Sequence, residues 1–185
     1  MELWKTKSRQ QVLSFGKWLT LETHEVQLPD GAVIPDWYWL DSPDYVNVLA
    51  LTGEGKVLIF RQVKYGVDGE TLATVGGYLE PGEQPLAGAK RELLGETGYE
   101  AARWIDLGQY RVDPNHGAGM GTLFLALGAR KTTERNADDL EEQVLMEMDI
   151  EAVEQALMEG RFKAVAWSAN VALGLLYLKR DGGVK

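Results

Sequence analysis

The chain of 185 residues contains no cysteine. That excludes disulfide bonds, a thiolate nucleophile and any zinc site built on cysteine. Positive charge is also short, with 19 lysines and arginines against 28 aspartates and glutamates, a formal net charge of −9. A protein that grips nucleic-acid backbones needs a basic face, so this balance argues against nucleic acid as partner or substrate. Long apolar runs are missing as well. The stretch MELWKTKSRQQVLSFG lacks the continuous hydrophobic segment of a signal peptide. The most apolar late stretch, Ala164 to Leu178, is too short to span a bilayer and carries Ser168 and Asn170, so it reads as a buried helix. The cytoplasm is the expected compartment, with no membrane partner. There are no repeats, low-complexity tracts or long linkers. What is present, 45% hydrophobic and 25% charged residues, is ordinary for a globular chain, and the length suits one domain with a small appendage.

The informative stretch is GYLEPGEQPLAGAKRELLGETGY, Gly77 to Tyr99. Its punctuation predicts a turn feeding one short helix. Gly77, Pro81 and Gly82 lie at the turn, and Pro85 suits the first helical turn, where its missing N–H would be unpaired anyway. Gly98 stands where a left-handed cap ends a helix. Leu86, Ala89, Leu93, Leu94 and Thr97 recur at helical spacing and are expected to be the buried stripe. Glu92 and Glu96 share a different face, expected to be exposed. Two carboxylates stacked this way repel unless a cation lies between them, and their oxygens suit a hard divalent ion that also binds phosphates. The glutamate pair alone would favour a solvated acidic face. The whole spacing, glycines and arginine included, favours the metal.

That spacing resembles the Nudix box, which runs Gly, five residues, Glu, seven residues, Arg-Glu, an apolar residue, any residue, Glu-Glu, any residue, Gly and an apolar residue. Gly77, Glu83, Arg91, Glu92, Leu93, Glu96, Gly98 and Tyr99 match, while Gly95 stands where the family usually has glutamate. Upstream, DSPDYVNVLALTGEGKVLIFRQVKYG resembles the paired strands that precede the box in the ADP-sugar pyrophosphatase group. The order of elements downstream is similar too. The resemblance implies the Nudix fold, an α/β/α sandwich with a mixed sheet, here with a small N-terminal antiparallel β region. It implies Mg²⁺ (or Mn²⁺) as cofactor, with Glu92 and Glu96 as main ligands and the carbonyl of Gly76 as another. It casts Glu83 and Arg91 as an ion pair fixing the loop to the helix; an ordinary surface salt bridge, worth well under ~1 kcal/mol, is the plainer reading. Gly95 removes one carboxylate and weakens the last helical turn by roughly 1 kcal/mol against alanine. Reduced rather than abolished activity is expected from it.

Residues 1–40 read as short strands broken by turns and are expected to build a homodimer, with residues 41–185 as the hydrolase domain. Trp18 to Leu28 and Val33 to Trp39 flank the Pro29-Asp30-Gly31 turn. Tyr45 to Leu51 and Lys56 to Val63 are strands joined at Gly53-Glu54-Gly55, a hairpin signal. Thr71 to Val75 leads into the box. Trp104 to Val112 and Thr122 to Ala129 are strands around a loop from Asp113 to Gly121. Asp149 is placed to cap a helix from Ile150 to Met158 that Gly160 ends. The last helix is expected from about Trp167 or Ser168 to about Lys179. Strands interleaved with a few helices fit an α/β sandwich with a mixed sheet.

Enzymes of the group that the chain resembles take a further carboxylate from a loop after the last strands, as metal ligand or general base. Asp138, Asp139, Glu141 and Glu142 lie there, with Glu142 favoured and Glu141 next; a solvated acidic loop is the alternative. Arg61 and Lys64 are placed to bind phosphate oxygens, unless they are simply solvated. The family usually has arginine at the second position, and lysine keeps the charge without the bidentate fork. Trp37 and Trp39 share one strand face, with Tyr38 on the other. The two tryptophans are candidates for stacking a nucleobase, with core or interface packing as the alternative. His116, in Asn115 to Gly119, is expected on a loop at a pocket mouth, and His24 carries no signal.

The expected reaction is Mg²⁺-dependent attack of water on a nucleoside diphosphate linked to another moiety. An ADP-sugar such as ADP-ribose, giving AMP and a sugar phosphate, follows from the group resemblance and not from any residue that reads adenine or ribose. Two alternatives stand beside it. One is a Nudix hydrolase of a nucleoside triphosphate, another nucleotide sugar or a coenzyme. The other is a non-catalytic nucleotide-binding domain, which Gly95 would allow.

Overall fold

The computed structural model describes residues 1–135 and 142–180. The chain divides into two compact units, Met1–Asp44 with Tyr110–Gly121, and Tyr45–Gln109 with Thr122–Lys185.

The first unit is built on an antiparallel meander of β1 (Lys5–Ser14), β2 (Thr20–Gln27) and β3 (Val33–Asp41). Its second turn is set by Asp30, whose carboxylate accepts the Ala32 N–H at 3.0 Å, as expected from Pro29-Asp30-Gly31. β1 is an addition to the sequence reading. Its residues KTKSRQQVLS are all exposed, so there was no buried face to impose a periodicity of two. It is held by its ladder to β2, from Lys5↔Gln27 to Ser14↔Thr20.

In the second unit, β4 (Tyr45–Thr52) and β5 (Val57–Val63) form the hairpin expected at Gly53 to Gly55. The run Thr71 to Val75, which leads into the box, falls in two strands. β6 (Glu70–Ala73) pairs with β5, and β7 (Val75–Tyr78) pairs with β4, so the chain changes neighbour at Thr74. The box helix α1 (Pro85–Thr97) follows, then β8 (Tyr99–Glu100), β9 (Arg103–Asp113) and β10 (Gly117–Lys131). Residues 117–121, expected in a loop, therefore begin β10. Its first residue belongs to the first unit and pairs in parallel with β3 at Gly117↔Leu40. β11 (Gln143–Met148) pairs antiparallel with β5, and α2 (Ile150–Met158) and α3 (Val165–Arg180) complete the described chain.

The fold is mixed α/β, and the second unit carries helices on both faces of its sheet. Strand residues two apart explain this. Val46, Val48 and Ala50 pack with Leu58 and Phe60 against Ala89 and Leu93 of α1. Leu49, Val57 and Ile59 point the other way, into a second core with Val153 of α2 and Val171 and Leu175 of α3. A strand apolar on both faces reads as a near-continuous hydrophobic run, which is how Val46 to Leu51 reads apart from Asn47.

Three further expectations are corrected. Asp149 occupies the N-cap position of α2 but makes no capping bond, because its carboxylate takes Lys56 Nζ at 2.6 Å instead. α3 starts at Val165, ahead of Trp167. In α1, Gly88, Ala89, Leu93 and Thr97 are buried, while Leu86 is exposed and Leu94 half-buried. No helix among the described residues is long and apolar enough to cross a membrane.

Candidate active site

The site is assembled from α1 and the turn that delivers the chain to it. Pro85 opens the helix, and Gly98 closes it in the left-handed conformation with φ 77°. No other residue fits there easily, since a Cβ on Gly98 would lie 2.2 Å from the Thr133 carbonyl oxygen.

Glu83 and Arg91 do form a pair, and it is more than a surface contact. Arg91 donates from Nε to Glu83 Oε1 at 2.9 Å and from Nη2 to Oε2 at 2.8 Å, a two-pronged fork. Nη2 also donates to the Tyr78 carbonyl at 3.1 Å, and Glu83 Oε2 accepts the Glu80 N–H at 3.0 Å. One carboxylate thus closes its own turn and ties α1 to the end of β7. The Arg91 hydrogen bonds, with the Glu80 N–H second, bring the Glu83 pKa down to about 2. The Arg91 pKa is raised in turn, chiefly by Glu83.

Glu92 and Glu96 are half-buried, which corrects the exposed face expected from spacing. Each reaches one of two adjacent glycines of β7. The Glu92 carboxylate lies where a side chain on Gly77 would be, since a Cβ there would sit 2.4 Å from Glu92 Oε1. Its Oε1 also accepts Arg91 Nη1 at 2.6 Å. Glu96 Oε2 accepts the Gly76 N–H at 3.2 Å. Gly76 is pressed from the other side, where a Cβ would meet the Val46 carbonyl oxygen at 2.3 Å and Asn47 Nδ2 at 2.5 Å. A Cβ on Gly95 would meet nothing within 4 Å, so the missing glutamate leaves open space.

This donor set fits a hard divalent cation. The two carboxylates meet adjacent glycines of β7, and Mg²⁺ commonly keeps several waters and shares phosphate oxygens with few protein ligands. Among the described residues no group of three or more His, Asp or Glu side chains is arranged to hold a metal ion by itself. Of the acidic loop, Asp138, Asp139 and Glu141 lie outside the described residues, and Glu142 is exposed just before β11.

Arg61 lies on β5 opposite Leu72 and Val144, with its Nε 3.8 Å from Glu70 Oε1, and Lys64 stands one residue beyond the strand. Trp37 and Trp39 are both engaged within the first unit. Trp37 donates to the Asn115 carbonyl at 2.9 Å, stacks on His116 at 5.4 Å and meets Trp4 edge-on at 5.3 Å. Trp39 stacks on the buried His24 at 5.5 Å, with the Arg111 guanidinium 5.7 Å from its ring. His116 sits in a fastened turn, because Asp113 accepts the Asn115 and His116 N–H groups at 2.8 and 3.1 Å and pairs with the His116 ring at 3.1 Å.

Sequence reasoning passed over Asn47. Its signal was a lone amide in an apolar strand, but only the pairing Asn47↔Gly76 shows what it lies against.

The comparisons agree with this architecture. The NUDIX domain family matches residues 41–168, and the nucleoside diphosphate sugar hydrolase N-terminal domain matches residues 4–40. The chain belongs to the Nudix family and is a hydrolase. It is 30% identical over 175 residues to the ADP-ribose pyrophosphatase of Bacillus subtilis (strain 168), covering 95% of this chain and 92% of that protein. It is 27% identical over 181 residues to the methanol dehydrogenase activator of Bacillus methanolicus, covering 98% and 95%. Among solved structures, an ADP compounds hydrolase aligns with a TM-score of 0.83 over 100% of this chain and 98% of that one, at 17% identity, a likeness of fold.

Proposed function

We propose that this chain is a divalent-metal-dependent pyrophosphatase of ADP-sugars, with ADP-ribose the leading substrate and AMP and ribose phosphate the products. The observation that carries the metal reading is the convergence of Glu92 and Glu96 on Gly76 and Gly77. The substrate rests on similarity along nearly the whole chain to an ADP-ribose pyrophosphatase. Glu92, Glu96 and the Gly76 carbonyl hold Mg²⁺ or Mn²⁺, and the Glu83–Arg91 fork keeps α1 at β7 so that they converge. When bound, the cation neutralises charge on the diphosphate oxygens and acidifies the attacking water. The water oxygen bonds to one phosphorus as the bridging P–O bond breaks, and the bridging oxygen leaves with the other phosphate. Glu142 or Glu141 accepts the water's proton, and Arg61 and Lys64 bind phosphate oxygens.

The test is hydrolysis of ADP-ribose and a panel of other nucleotide sugars, triphosphates and coenzymes, with Mg²⁺ or EDTA. Wild type is run beside Glu96→Gln. The expected result is metal-dependent turnover that prefers ADP-ribose and falls at least ~100-fold in the variant, since even ligand-supporting groups are worth 10–100-fold. Turnover preferring another nucleotide would move the substrate. Nucleotide binding without turnover would make this a binding domain that lost hydrolysis with the glutamate absent at Gly95.

A further inference from the structure

Asn47 is the polar interruption in a strand otherwise built for burial. It is 4% exposed, and its neighbours Val46, Val48, Leu49 and Ala50 are 0–1% exposed. By alternation its side chain lies on the face of the sheet away from α1, the face on which Leu49 packs. Its Oδ1 is buried and has no hydrogen-bond partner among the described residues. Leaving an amide acceptor unpaired in a core is destabilising, and an apolar side chain of the same size would avoid that loss. Stability therefore does not account for the residue.

Its placement does. Asn47 is paired with Gly76 across the β4–β7 ladder. The amide is packed against that glycine so closely that a Cβ on Gly76 would lie 2.5 Å from Asn47 Nδ2. The N–H of the same glycine is the group that Glu96 Oε2 accepts. Gly76 is thus in contact with a carboxylate of the site and with a buried amide. Thr74, at the break between β6 and β7, carries another buried hydroxyl without a partner among the described residues. The backbone leading to the carboxylates is lined by polar groups that the core does not need. Departures from local rules of this kind are expected at functional sites.

We infer that Asn47 is a positioning residue of the metal site: its amide props the Gly76 backbone from behind, and so sets where the Glu96 carboxylate and the Gly76 carbonyl meet the cation. The inference rests on the metal reading above. Asn47 touches neither substrate nor cation, and it acts through Gly76.

The experiment is Mn²⁺ titration followed by electron paramagnetic resonance, with thermal melts alongside, on wild type, Glu96→Gln, Asn47→Leu and Asn47→Ser. Wild type should bind Mn²⁺ saturably and Glu96→Gln only weakly. Both Asn47 variants should weaken Mn²⁺ binding about tenfold, at the lower end of what supporting residues contribute. The leucine variant should melt at or above the wild-type temperature, because it removes the unpaired acceptor. A residue with a merely structural role would change the melt and leave the Mn²⁺ affinity alone. Wild-type affinity in a folded Asn47→Leu protein, or in Asn47→Ser should the leucine variant not fold, overturns the inference while the metal reading stands. Wild type that binds no Mn²⁺ removes both.

Discussion

Glu83 shows how one side chain can serve a turn and a helix together. It is closed by the Glu80 N–H on one side and the Arg91 fork on the other, and its pKa of about 2 lies below the ordinary 4.5. A carboxylate with a depressed folded-state pKa contributes stability above its unfolded pKa, and loses it as pH falls through the folded one. The pair is partly solvated, which dilutes its contribution. The window follows from those two values: the gap in melting temperature between wild type and Glu83→Gln should be full at pH 6, narrow below about 4.5 and close near 2. Melts at five pH values between 2 and 7 check it. A gap that stays constant across that range would show that folding does not lower the Glu83 pKa. The resemblance to the Nudix box implied this pair, but not that its arginine also reaches the Tyr78 carbonyl. That third bond depends on where β7 ends, and spacing within a motif does not carry it.

Among the elements, α1 was the most legible. Pro85 and Gly98 fall at its ends as expected, because a missing donor and a left-handed backbone are local demands that local residues answer. Its exposed and buried faces were less legible. Leu86 turns outward, while Glu92 and Glu96 turn in against two glycines of another strand. Gly95 belongs to the same helix. Its backbone is not left-handed, and a Cβ there meets nothing within 4 Å. Gly95→Ala should therefore stabilise the protein by about 0.5–1 kcal/mol through helix propensity, measured by urea denaturation. Gly95→Glu should tighten Mn²⁺ binding by placing the family's usual carboxylate on the free side of the last turn. If neither change moves stability or affinity, Gly95 is not the weak point of this helix. The split of the 71–75 run into β6 and β7 was illegible for another reason: both halves are β-formers, and only the change of partner at Thr74 divides them.

For the whole molecule, β1 raises the question of assembly. It is exposed along its length, and Leu3, Trp4, Val12, Leu13, Phe15 and Trp18 are exposed in or around it. An edge that pairs with no further strand among the described residues and carries apolar side chains invites another chain, which supports the proposed homodimer through residues 1–40. Light scattering should give twice the chain mass at micromolar concentration, and Leu13→Glu with Phe15→Glu should halve it without lowering the melting temperature of the monomer. A monomeric wild type would end that proposal. The sequence by itself determined what is written in local chemistry: no disulfides, the hairpin at Gly53 to Gly55, the ends of α1, and the glycine, glutamate and arginine spacing of the box. Only the tertiary structure decided what depends on strand register and packing. It put Asn47 opposite Gly76, turned both carboxylates onto β7, drew Asp149 away from its helix to Lys56, and gave β1 a place on the edge of a meander. The reason is range, since caps and turns are satisfied within a few residues. The partners of a buried side chain are chosen by pairing between segments far apart in the chain.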